Sequence, residues 1–449
     1  MSKELEPMTS GSISKSMIVF ALPILLGNLF QQLYNTVDSL IVGNYLGSTA
    51  LAAVTSSGSL IFMLIGFVMG VSSGASVVIA NYYGARDKNN LELSVHTTVV
   101  LGAIVGAAMT ILGVLLTPQI LIWMDTPSAV MKDAVVYLRL LFSGSLFLVM
   151  YNFLVGILQA VGDSKHPLYY LIASSVINLI LDVLFIAGFH MGVGGAAVAT
   201  VISQGISMLL CFIQLTKSKY EYRLQIKKLV LDKEILKQLL KIGLPSGVQN
   251  SIIAFANIIV QTYINSFGEM AMAGLGVFSK IEGFAFLPIT SFAMAITTFI
   301  GQNLGAHEFD RAKKGARFGI IITVLSAEAI GLIIYIFAPQ LIGAFDSSPE
   351  VISYGVAKAH NATIFFFLLA YSHAIAAVCR GAGKAMVPMF VMLAFWCVIR
   401  VAFLAITIPI TQSIEMLYWV YPLTWGLSSL AFFIYYRVSN LFKYEQIVN

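Results

Sequence analysis

Charge is what this chain has least of. Only 10% of its 449 residues are Asp, Glu, Lys or Arg, against about 25% in a soluble globular protein. So thin a polar surface cannot coat a water-facing particle of this size. That excludes a soluble enzyme, a disordered chain and a nucleic-acid binder. Cysteine is nearly absent as well. Cys211, Cys379 and Cys397 are odd in number, form no Cys-x-x-Cys pair and sit in apolar runs. Neither a disulfide framework nor a metal knuckle is expected, and buried inert thiols are. No G-x-x-x-x-G-K-[ST] loop occurs, because Gly383-Lys384 is followed by Ala385 and lacks the upstream glycine. There is no His-Glu-x-x-His motif and no soluble stretch long enough to fold as a catalytic domain. ATP hydrolysis, enzymatic chemistry and a cofactor are therefore not expected, and any transport has to draw on an ion gradient.

Long apolar runs are what is present. A bilayer crossing needs roughly 20 such residues, and hydropathy places twelve spans, at 16–42, 51–82, 93–117, 130–157, 166–189, 194–216, 237–265, 270–302, 314–338, 351–378, 386–410 and 416–437. An all-α integral membrane protein with short loops follows. Alternate loops collect the cations: Arg86 and Lys88; Lys165; Lys217, Lys219, Arg223, Lys227, Lys228 and Lys233; Arg311 and Lys313; Arg380 and Lys384. Acids such as Asp125, Asp133, Glu269, Asp346, Glu350 and Glu415 dominate the others, with Lys132 and Lys358 near them. Positive loops stay inside, so the chain is read as a multi-pass protein of the cell membrane with both termini cytoplasmic. Residues 1–15 and 439–449 are then cytoplasmic segments. Residues 16–216 and 237–438 form two bundles, and 217–236 is a basic linker, read as a plain solvated one, with binding to anionic lipid headgroups as the alternative. The net charge of +5 reports orientation.

Displaced by 221 or 222 residues, the chain partly matches itself. Ala21-Leu22-Pro23 answers Gly243-Leu244-Pro245, Tyr83-Gly84-Ala85-Arg86 answers Leu304-Gly305-Ala306-His307, and Pro118-Gln119 answers Pro339-Gln340. Gly162 with Pro167 answers Gly383 with Pro388. Each repeat holds six spans. An even number gives both repeats the same orientation, the construction of an alternating-access transporter.

Ionisable groups inside the membrane cost several kcal/mol and need a partner, a water-filled cavity or a proton. Asp38 in span 1 and Asp182 in span 5 fall at similar depth. Asn178 shares a helix face with Asp182, and Thr200 lies level in span 6. Their oxygens together suit a proton or a hard cation such as Na⁺, because two carboxylates in a low dielectric do not both ionise freely. Gln31, Tyr34 and Asn35 precede Asp38 by seven, four and three residues, so they share its face, and with Asn152 they are candidates for a substrate cavity. Lys280, Glu282 and Arg400 are candidates too, or, with Glu328, members of a self-neutralising network. His96, His360 and His373 are weaker candidates. The second repeat lacks the acidic set: Val260 or Gln261 answers Asp38, and Phe403 answers Asp182.

These motifs resemble those of the multidrug and toxic compound extrusion (MATE) transporters over nearly the whole chain. The carriers are Leu22-Pro23, Asp38, Gly47-x-x-Ala50-Leu51-Ala52, Gly84-Ala85-Arg86, Gln159-Ala160-x-Gly162-Asp163, Asn178-x-x-x-Asp182 and the Gly192–Thr200 opening of span 6. The resemblance implies a V-shaped pair of pseudo-symmetric six-helix bundles. It also implies export of cationic or aromatic small molecules in exchange for H⁺ or Na⁺, with Asp38, Asn178, Asp182 and Thr200 at the coupling site. A monomer surrounded by membrane lipid is expected. A lipid-linked oligosaccharide or lipid flippase of the same superfamily is the alternative.

Overall fold

The computed structural model describes residues 8–56, 58–124, 126–439 and 441–442, leaving out the side chains of 39–40, 43–44, 47–60, 62 and 129. The segments 1–7 and 443–449, Asp125, and the side chains of the Gly47–Ala52 turn therefore lie outside the described residues. Among those described, the chain is helical throughout, with no strand. Eleven helices are long and apolar enough to cross a bilayer. A further pair, Val130–Ser143 and Ser145–Ala160, makes a twelfth span if counted as one.

Two compact units emerge. The first runs from Leu26 to Gly243. It holds most of α1 (Ile13–Ser56), α2 (Gly58–Ala85), α3 (Lys88–Trp123), α4 (Ser128–Ser143), α5 (Ser145–Ala160), α6 (Lys165–Asp182), α7 (Gly192–Lys217) and the start of α8 (Lys233–Asn265). The second takes Met8–Leu25 and everything from Leu244. It holds the rest of α8, then α9 (Glu269–Gly305), α10 (Phe309–Gly343), α11 (Pro349–Ala362), α12 (Phe366–Gly381), α13 (Met386–Met392), α14 (Arg400–Thr411) and α15 (Glu415–Val438). The division differs from boundaries drawn in loops. It cuts α1 and α8, beside Pro23 and Pro245, which are repeat partners. The buried faces explain it: Met17, Phe20 and Ala21 join Ile296 and Phe299 in the second unit's core. In the first unit a Cβ on Gly74 would stand 2.3 Å from the Gly243 backbone.

Hydropathy also missed two breaks. Span 4 bends by 45° at Gly144, where α7 comes so close that a Cβ would meet Val201 Cγ2 at 2.5 Å. Span 1 does not stop at residue 42 but continues as helix to Ser56, since no proline follows Pro23 to end it.

The repeat is visible in atomic detail. Arg86 and His307, repeat partners at offset 221, both adopt φ near +60° (56° and 59°). Gly162 and Gly383 are likewise both at positive φ. Ser76 Oγ donates to Gly156 O at 2.9 Å, and Thr297 Oγ1, 221 residues on, donates to Ala377 O at 3.2 Å. The same interhelical bond recurs between the same helices of each unit.

The linker is not a free solvated strand. His96 Nδ1 bonds the Glu92 carbonyl at 2.7 Å, and its Nε2 meets the Gln225 amide and carbonyl at 3.0 and 3.1 Å. Thr97 Oγ1 donates to Val230 O and accepts from Asp232 N. Tyr222 and Leu224 are buried. His96 is thus a structural clip on the linker.

Candidate functional site

The first unit encloses a cavity of about 410 Å³. α1 lays Gln31, Tyr34, Asn35 and Asp38 along its wall, while Gln32, a third of a turn away, is absent from it. This is the face expected from spacings of seven, four and three. Asn152 from α5, Asn178 from α6 and Thr200 from α7 complete the predicted set. Asp182 is not on the wall. It ends α6 and has no exposed surface.

Asp38 and Asp182 stand within side-chain hydrogen-bonding reach. Carboxylate oxygens only accept, so this bond forms only when one of the two carries a proton. Without it, neither oxygen of Asp182 nor Oδ1 of Asp38 has a donor among the described residues. Asn178 is held by its amide: Nδ2 donates to Ser203 Oγ at 3.2 Å, and Ser203 donates to Thr200 O at 2.9 Å. That leaves Asn178 Oδ1 buried without a donor. The Tyr34 phenol stands within hydrogen-bonding reach of the Thr200 side chain, and Tyr34 and Tyr137 both lie within electrostatic range of the two acids. The backbone changes character here, because a π-turn, Val183–Gly188, begins directly after Asp182. Such turns recur at functional sites. The result is a cluster of oxygen acceptors lacking donors, which a proton or a hard cation can satisfy.

Sequence reasoning missed Tyr137, Tyr151, Ser203 and Gln204 on the same wall. Tyr137 and Tyr151 sit in apolar stretches that read as lipid-facing. Only the helix-face argument from Asn178 and Thr200 could have pointed to Ser203 and Gln204.

Lys280, Glu282 and Arg400 lie in the second unit, are not among the residues lining this cavity, and do not form the network expected. Lys280 is exposed, its Nζ 6.0 Å from the Phe345 ring. Glu328 accepts the Phe367 amide at 2.9 Å, at the start of α12. The acid whose charge reaches Arg400 is Glu282, and the second cation is Lys358, which had been placed near a loop. Arg400 is buried, bonds Thr424 Oγ1 through Nε and Nη2 and lies 4.5 Å from the Tyr421 ring centroid. Lys358 Nζ donates to Leu417 O at 2.9 Å and stands 3.8 Å from the same ring.

Lys358, His360 and Asn361 share one purpose. Pro422 lacks the N–H that would pair with Tyr418 O, four residues earlier. Asn361 supplies it, Nδ2 donating at 2.9 Å while Oδ1 accepts from Trp419 Nε1, and Lys358 Nζ reaches the same carbonyl at 3.4 Å. Pro339 likewise strips Tyr335 O of its partner, and His360 Nε2 lies 3.1 Å from it. These are structural roles, set by the rule that backbone groups in lipid must be satisfied. His373 packs edge-on against Phe286 and Trp396.

The MatE family profile matches residues 23–184 and again 245–406, two copies at an offset of 222. The relative named "Probable multidrug resistance protein YoeA", from Bacillus subtilis, is 33% identical over 450 residues, covering 97% of this chain and 96% of that one. This chain belongs to the MatE family of transporters. The relative named "Probable multidrug resistance protein NorM", from Thermotoga maritima, is 28% identical over 390 residues, covering 84% and 82%. A MOP superfamily transporter from Pyrococcus furiosus shares the fold, with a TM-score of 0.92 at 24% identity over 99% of this chain and 100% of that one.

The repeat also says which residues correspond. Asp38 answers to Val260, and at the offset of 221 kept by Gly162 and Gly383 Asp182 answers to Phe403; Val260 lies in an apolar cluster with Leu275 and Leu417, and Phe403 packs against it. Asn178 answers to Ile399. Where this transporter's first unit presents acids and an amide, its second presents apolar side chains.

Proposed function

We propose that this chain exports cationic, amphiphilic drug-like compounds in exchange for H⁺ or Na⁺; the names of its multidrug-resistance relatives support the drug-export part of this reading. The observation that carries the reading is the Asp38–Asp182 pair with its donor-less oxygens beside the cavity. Asp38 is the single charged side chain among the described residues lining that cavity, and Tyr34, Tyr137 and Tyr151 add ring faces and phenols. A space of this size accepts a drug-sized ligand, and rings with a carboxylate favour a cation.

Coupling follows from shared ownership of the acids. A proton added to the pair, or Na⁺ held by Asp38, Asp182, Asn178 Oδ1 and Thr200, lowers by one the negative charge that attracts a cationic ligand. Ion and substrate then compete, and loading the ion expels the drug. Loss of the ion restores the carboxylate and recruits the next molecule. Because the second unit's counterparts are Val260, Phe403 and Ile399, the coupling site is single.

Binding of a fluorescent lipophilic cation to the purified protein tests this. Affinity should fall as H⁺ or Na⁺ is raised, and Asp38→Asn should bind weakly and without ion dependence. Affinity in the wild-type protein that is indifferent to both ions contradicts the reading.

A further inference from the structure

The linker poses a question that transport leaves open. His96 and Thr97 hold its backbone rigidly against α3. Yet the residues it turns outward are apolar: Ile226 is 61% exposed, and Leu229, Val230 and Leu231 are 40, 41 and 39% exposed. A strap facing water would bury these side chains or replace them. Its inward side already has an apolar anchor in Tyr222 and Leu224.

The charges around it are equally one-sided. Two of its three acids are engaged: Glu221 pairs with Lys88, and Asp232 caps the Ile235 amide at 2.9 Å, while Glu234 is exposed at the start of α8. Lys228 is committed to Glu92. Lys217, Lys219, Lys227 and Lys233 are exposed with no acid within 4 Å among the described residues.

We propose that the segment Arg223–Asp232 is a lipid-anchoring site for anionic phospholipid. Ile226, Leu229, Val230 and Leu231 enter the boundary between headgroups and acyl chains, and Lys217, Lys219, Lys227 and Lys233 hold the headgroup phosphates. Exposed aliphatics with cations beside them form the two halves of an interfacial anchor. The clip from His96 and Thr97 supplies the third requirement, a fixed orientation.

The test places a nitroxide at Ile226→Cys or Leu229→Cys, with Cys397→Ala removing the half-exposed native thiol. Each protein is reconstituted in phosphatidylcholine vesicles with and without phosphatidylglycerol. Collisions with oxygen and with a water-soluble nickel chelate report depth. The expected result is oxygen-dominated collision in the anionic vesicles at both positions. Lys219→Gln and Lys227→Gln should each lower the inserted-to-exposed ratio about fivefold at low salt, while Lys→Arg at the same sites preserves it. Nickel-dominated collision at both positions in anionic vesicles overturns the proposal. So does insertion that is indifferent to phosphatidylglycerol and to the lysines, and so does immobilisation by a soluble protein in place of lipid.

Discussion

A carboxyl with no exposed surface inside a membrane bundle costs several kcal/mol unless something compensates it. At Asp182 the described structure offers no donor except a protonated Asp38. Stability and function should therefore pull apart at this residue. Asp182→Leu is expected to raise thermal stability by about 1–3 kcal/mol, since it removes a buried unsatisfied group, and to abolish ion-dependent transport. The second unit already carries an apolar residue, Phe403, at the equivalent position. Melting curves and efflux assays on one preparation check both halves, and a fall in melting temperature would count against the orphaned-acid description. Asn178 acts through placement. Ser203→Ala should lower ion affinity by roughly the worth of one hydrogen bond, about 1 kcal/mol or fivefold, as measured by ion-dependent protection against heat. Much of this was legible in the sequence: an Asp, Asn and Thr in apolar spans announce themselves by their cost. Lys358 was not. Its position near a span end hid the fact that it reaches into the second unit to serve Leu417 and Tyr418.

Helices in lipid have no water to repair a missing backbone bond, so the carbonyls freed by Pro339 and Pro422 are served by side chains of a neighbouring helix. Asn361→Leu should cost about 1–3 kcal/mol by leaving Tyr418 O only the 3.4 Å contact from Lys358 Nζ. Pro422→Ala, which restores the missing N–H, should recover most of it in the double variant, and a thermal double-mutant cycle measures the coupling. Additive losses would break the link between Asn361 and Pro422. At Gly144 the close approach of Val201 leaves no room for a side chain. Gly144→Leu is expected to destabilise by several kcal/mol through overpacking, read as lost yield of folded protein in detergent. Hydropathy found the spans but not this bend, because a bend at glycine reflects the partner helix more than local composition. Nor could it find the docked linker, whose His96–Gln225 contact joins residues 129 positions apart.

At the scale of the whole chain, one duplicated design has diverged into opposite chemistries. The repeats keep their turns and their Ser76–Gly156 and Thr297–Ala377 bonds, since folding requires them of both copies. They differ where the ion is proposed to bind: Asp38, Asn178 and Asp182 in one, Val260, Ile399 and Phe403 in the other. A single coupling site per molecule is the consequence. Isothermal titration should return one competing ion site per chain, and Arg400→Gln should leave that site's affinity unchanged. The central claim meets its most direct test in transport itself. Vesicles containing wild-type, Asp38→Asn or Asp182→Asn protein are loaded with a fluorescent lipophilic cation and given a proton gradient or a sodium gradient in turn. At least one gradient should drive export by the wild-type protein, and neither should drive it through either variant. Undiminished gradient-driven export by Asp38→Asn or Asp182→Asn would contradict the account.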